Sequence, residues 1–105
     1  MLKKKNRLSR REFDHLLKSG RRVHGVHLSI MVAPSTTPLK CGVVVSKKTA
    51  KRATARNLLR RRVYAILGDY VGNHSGYLAV FTKPSCTTFS YQELTDELTT
   101  LLARI

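Results

Sequence analysis

The sequence is short of several things at once. It has no Trp, two Cys, three Pro and six acidic residues among 105, and no apolar run approaches the ~18 residues of a membrane span. Each shortage excludes a class. A transmembrane helix is ruled out by run length, and the opening Met1-Leu2-Lys3-Lys4-Lys5 is too charged for a secretory signal, so a cytoplasmic protein is expected. Cys41 and Cys86 allow one bridge at most. In a reducing compartment both are expected as free thiols, with Cys41 a small core residue. The few carboxylates make no acid/base pair, because Glu12 and Glu93 are needed as helix caps and Asp69 stands alone. His15, His24, His27 and His74 lack metal-ligand spacing with the cysteines, and for His24 and His27 a structural or partner-facing role outweighs a metal site. Ser46-Lys47-Lys48 is not a phosphate-binding glycine loop. Neither catalytic side chains nor a protein-bound metal are expected.

What the chain has in excess is positive charge. Twenty Lys and Arg against six Asp and Glu give +14, which costs self-repulsion and favours a polyanionic partner. The charge is concentrated. Residues 1 to 40 carry ten basic and two acidic side chains, residues 47 to 62 carry eight basic and none acidic, and the remainder nets to −2. A hydrophobic fraction of 42% is that of a folded domain rather than a disordered basic tail. Its length suits one domain over residues 1 to 105, with residues 1 to 7 a mobile basic arm.

Elements follow from spacing. Ser9 with Glu12 is a capping box, Leu8 and Phe13 a hydrophobic staple, and Gly20 a stop, so a short helix is predicted between them. From Val26 to Val32 the period becomes 2, with Val26, Leu28, Ile30 and Val32 facing the core and His27, Ser29 and Met31 facing away. Pro34 to Pro38 reads as loop and Cys41 to Val45 as a strand, in which Gly42 marks a bulge or a close approach. A helix from about Ala50 puts Ala55, Leu59, Val63, Ile66 and Leu67 on one core stripe and turns the cations outward. Gly68 to Gly76 reads as loop and Tyr77 to Thr82 as a strand ended by Lys83-Pro84. Ser90 with Glu93 caps a last amphipathic helix with Leu94, Leu98, Leu101, Leu102 and Ile105, stapled by Phe89 to Leu94. This helix is expected only to pack. Residues 20 to 25 add a strand, giving an α+β two-layer sandwich in the order αβββαβα.

Gly42 to Arg62, G-V-V-V-S-K-K-T-A-K-R-A-T-A-R-N-L-L-R-R-R, resembles the signature of the bacterial ribonuclease P protein component, a strand ending in Ser-Lys-Lys that runs into a helix with Arg-Asn-Arg. The opening N-R-L-S-R-R-E-F-D-H-L-L-K-S-G-R-R, the later Y-L-A-V-F-T-K-P and the final S-Y-Q-E-L resemble the same family in the same order. The resemblance implies a ribosomal protein S5 domain 2-like fold with an unusual left-handed β-α-β crossover, against the usual hand. It also implies an accessory subunit of an RNA-based endoribonuclease. There the catalytic RNA, using Mg²⁺, removes the 5′ leader of precursor tRNA, and the protein binds both RNAs while being a monomer on its own.

Carried onto this chain, the catalytic-RNA set is Lys47, Lys48, Lys51, Arg52, Arg56, Asn57, Arg60, Arg61 and Arg62. The leader set is Phe13, Leu17, His27, Ser29, Met31 and Lys83, with Phe13 open between core and cleft. Leu17 and Met31 stand where family members often have aromatics, so leader stacking is expected to be weaker or to fall to Phe13. Leu58 stands where the signature has Arg, points off the core stripe, and leaves its charge to Arg62 one turn on. Tyr64 and Tyr70 are expected to pack, and Lys40 and Arg104 to be solvated. Two rivals are a small basic ribosomal protein and a DNA-binding architectural protein.

Overall fold

A computed structural model describes residues 4–70, 74–84 and 90–104. After a 3₁₀ turn, Lys4–Asn6, come α1 (Arg10–Ser19), β1 (Arg21–His24), β2 (Leu28–Pro38), β3 (Lys40–Val44), α2 (Ala53–Tyr70), β4 (Ser75–Thr82) and α3 (Tyr91–Leu102). The strands form one sheet in the order β1-β2-β4-β3. β1 with β2 and β2 with β4 are antiparallel, whereas β3 and β4 are adjacent and parallel, joined by α2.

Both capping boxes form. Ser9 N–H donates to Glu12 at 2.8 Å and Glu12 N–H returns to Ser9 Oγ at 3.2 Å. Ser90 and Glu93 repeat the exchange at 3.0 and 3.2 Å, which holds the Glu93 carboxyl below its ordinary range. Glu12 is lowered too, chiefly by Lys40, whose Nζ donates to its Oε2 at 2.8 Å. Lys40, expected to be merely solvated, thereby ties β3 to α1. Phe89, Ile105, Cys86, residues 1 to 3 and residues 71 to 73 lie outside the described residues.

The principal core is the expected sandwich of sheet against helices. Leu28, Ile30, Cys41, Leu78 and Val80 meet Leu59, Val63, Ile66 and Leu67 of α2 and Leu94, Leu98, Leu101 and Leu102 of α3. On the opposite face α1 closes a smaller cluster of Leu16, Met31, Ala33 and Ala79, flanked by Leu8, Phe13, Tyr77 and Phe81. Gly42 is a close approach, since a Cβ there would stand 3.2 Å from Leu8 Cδ1. Gly76 has φ +111°, a conformation open to glycine and strained for other residues. Burial pushes the Cys41 thiol up to about 12. Since the thiolate is the reactive form, Cys41 in a Cys86→Ser background should resist alkylation near pH 8 and react on unfolding; equal rates in both states would contradict its burial.

Several boundaries differ from those expected. β2 starts at Leu28, and Val26, 75% exposed, is no core residue. Gly25 to His27 instead turn between β1 and β2, with Gly25 N–H donating to the Leu28 carbonyl at 2.8 Å. The Pro34 to Pro38 segment continues β2 as strand, because proline tolerates extended backbone where no ladder N–H is needed; the register shifts between Ala33 and Pro38, which pairs with Ser75. α2 starts at Ala53 because Ser46 holds a turn first: its carbonyl accepts from Thr49 and Ala50 N–H at 3.0 and 3.2 Å, and Thr49 Oγ1 donates to the Thr82 carbonyl. Ala55 is exposed with Ala53 and Thr54, so burial on α2 begins at Leu59. The helix itself runs on to Tyr70, into the expected loop. Finally, the arm is anchored by residue 7: Arg7 bridges Cys41, and Leu8 N–H donates to the Cys41 carbonyl at 2.9 Å, covering the open edge of β3.

α3 does more than pack. Glu97 Oε2 accepts from the backbone N–H of His27 at 2.8 Å and of Leu28 at 2.6 Å, fixing the β1–β2 turn from 70 residues away. Glu97→Ala strands both donors and should cost about 2–3 kcal/mol, read as a lower urea midpoint with unchanged slope. A midpoint equal to that of the parent would show that the turn holds itself.

Candidate nucleic-acid interface

The cations of the 47–62 segment are carried by the stretch between β3 and α2 as well as by α2 itself. Lys47 and Lys48 project from the turn after β3, Lys51 and Arg52 from the bend before α2, and Arg56, Asn57, Arg60, Arg61 and Arg62 from α2 itself. Lys47, Lys48, Lys51, Arg52, Asn57 and Arg61 are exposed; Arg56, Arg60 and Arg62 are half-buried. None of these eight cations pairs with a carboxylate among the described residues. Leu58 is 46% exposed on the same helix and faces away from the core, as its spacing predicts.

Two of these side chains have structural work as well. Arg56 Nη1 donates to the carbonyls of Ala50 and Lys51 at 3.0 and 2.8 Å, clasping the bend that carries Lys51 and Arg52. Arg60 Nη1 donates to Asn57 Oδ1 at 2.8 Å, which orients the guanidinium along the helix. Beside them Arg7 lies 4.9 Å over the Tyr64 ring. Tyr64 packs against the core as expected, while Arg7 extends the cationic surface beyond the segment that sequence reasoning singled out.

The six residues expected to line a cleft are not all brought together. Phe13 settles between its two readings: half-buried beside the α1 cluster, its ring is 6.3 Å from that of Phe81. Leu17, one turn on, is 45% exposed. Ser29 is buried opposite Phe81, and Met31 is buried under α1. His27 stands apart from them. The β1–β2 turn breaks the alternation at Leu28, and His27 lines a groove with Glu93, Glu97 and Leu101 of α3. Lys83 is half-buried, and its Nζ donates to the Gly25 carbonyl at 2.7 Å. Arg22 and Phe81, outside the expected set, meet on the same side of the sheet. Arg22 is paired with Met31 across β1 and β2, and Phe81 with Ser29 across β2 and β4, so both share the α1 face. Strand alternation from Tyr77 through Ala79 marks Phe81 for that face, whereas nothing local marks Arg22.

Among the described residues no group of three or more His, Cys, Asp or Glu is placed to hold a metal ion, and no helix is long and apolar enough to cross a membrane.

The comparisons agree with one another. A sequence model described as Ribonuclease P matches residues 2–105. The chain is 37% identical over 109 residues to the ribonuclease P protein component of Pseudanabaena sp. (strain PCC 6903), covering 99% of this chain and 94% of that protein. It is 36% identical over 102 residues to that of Synechococcus sp. (strain JA-3-3Ab), covering 90% and 81%. Its fold superposes on the RNase P protein of Thermotoga maritima with TM-score 0.84 at 24% identity, over 94% of this chain and 96% of that one. On the Staphylococcus aureus RNase P protein the TM-score is 0.86 at 16% identity, over 94% of both chains. With a matched family model over almost its whole length and relatives above one-third identity, the chain belongs to the ribonuclease P protein family.

Proposed function

We propose that this chain is the protein subunit of ribonuclease P, joining a catalytic RNA to remove the 5′ leader of precursor tRNA. The observation that carries the reading is the unpaired cationic surface between Lys47 and Arg62, in a chain whose family is ribonuclease P. In this reading the surface holds the catalytic RNA, and the α1 face of the sheet, edged by Phe13 and Leu17, takes the single-stranded leader. Binding the leader favours substrate over mature product, because only the substrate carries it. The chemical step and its Mg²⁺ belong to the RNA, and the chain, a monomer in the cytoplasm, supplies charge and positioning. Neither rival accounts for the family match along the whole chain.

Reconstitution tests it. Added to a ribonuclease P RNA at low Mg²⁺, the chain should raise the rate of leader removal, by more for precursor tRNA with a leader of several nucleotides than for one with a single nucleotide. No stimulation at any Mg²⁺ concentration would refute the subunit role.

A further inference from the structure

The sheet face beneath α1 holds one side chain in an unusual setting. Arg22 comes from β1, an edge strand, yet its guanidinium carbon lies 4.7 Å over the ring centroid of Phe81 on β4. To get there it crosses β2, where its Nη2 donates to Met31 Sδ at 3.6 Å. Phe13 of α1 flanks the same Phe81 ring at 6.3 Å, tilted by 48°. Arg22 is exposed and pairs with no carboxylate among the described residues.

A guanidinium is planar, so one face lying over a ring leaves the other to solvent, together with the N–H donors that Met31 does not use. That combination suits an unpaired base, which stacks on the plane, and its phosphate, which takes the donors. Duplex nucleic acid hides its base faces and offers no such partner. The neighbouring positions cannot do this work: Leu17 has no π-system and Met31 is buried.

We propose that Arg22, held over Phe81, is the stacking platform for one unpaired base of single-stranded RNA. The proposal rests on the leader reading above, and gives the cleft the planar surface that Leu17 and Met31 do not supply. Phe81 acts as a positioning residue beneath it.

The test compares the affinity of the chain assembled with catalytic RNA for precursor tRNA and for the same tRNA without its leader. Arg22→Ala and Arg22→Lys should each lower the ratio of the two affinities about tenfold, and Phe81→Leu should lower it too. Affinity for leaderless tRNA should stay unchanged in all three, and a cooperative thermal transition close to the parent's shows that each variant folds. Arg22→Lys with the full ratio would overturn the proposal, since charge alone would then suffice, and so would Arg22→Ala with the full ratio. A parent ratio of one would bring down the leader reading and the proposal together. A parent ratio well above one that survives Arg22→Ala brings down the proposal alone.

Discussion

Replacing Arg60, Arg61 and Arg62 together by Gln should weaken binding of the catalytic RNA by about 10²–10³-fold at ~0.1 M salt, and lower the slope of log affinity against log salt by about two to three. The size follows from counterion release. Each phosphate neutralised contributes roughly 0.7–0.9 to the slope, hence roughly that many powers of ten at ~0.1 M relative to ~1 M salt. Gln keeps helix propensity and the inner methylenes of the stem while removing charge, and none of the three arginines loses a carboxylate partner among the described residues. Arg56 is left in place deliberately. Its guanidinium holds the Ala50 and Lys51 carbonyls, so its loss would mix a structural effect with an electrostatic one. A salt titration of RNA affinity decides, and parallel plots for parent and triple variant would mean that α2 is not the RNA-facing surface.

Leu67→Ala and Leu58→Ala should differ sharply although both remove the same atoms from the same helix. Leu67 is fully buried in the principal core, and its truncation should cost about 2–5 kcal/mol, a large share of the ~5–15 kcal/mol that holds a domain of this kind together. Thermal unfolding should fall by well over ~10 °C. Leu58, 46% exposed, should stay within about 0.5 kcal/mol of the parent. Calorimetry on the pair checks this, and equal melting temperatures would mean that α2 seats on the sheet by another face. RNA affinity of Leu67→Ala, measured well below its midpoint, should remain near that of the parent, because no cation is among the buried residues of α2.

Much of this arrangement is legible in the residues because it depends on neighbours in sequence. Ser9 with Glu12 and Ser90 with Glu93 start helices through hydrogen bonds spanning three residues, and both form. Leu59, Val63, Ile66 and Leu67 fix the buried face of α2 by spacing alone, and with it the side left to the cations. Errors arise where a distant partner intervenes. The strand pattern includes Val26 and His27, but Glu97 of α3 captures the backbone there and turns it out of the sheet. Helical propensity runs back to Ala50, but Thr49 is anchored to the Thr82 carbonyl and holds the turn open.

What the amino-acid order determined by itself is therefore the location of the charge, the starts of the two capped helices and the core stripes of α2 from Leu59 and of α3, since periodicity and capping act over three or four residues. Only the folded chain decided which cations share a surface, that Arg7 covers the β3 edge beside Tyr64, and that Arg22 reaches Phe81 across a strand. Those contacts join positions dozens of residues apart, where side-chain identity carries no record of the partner and packing alone selects it.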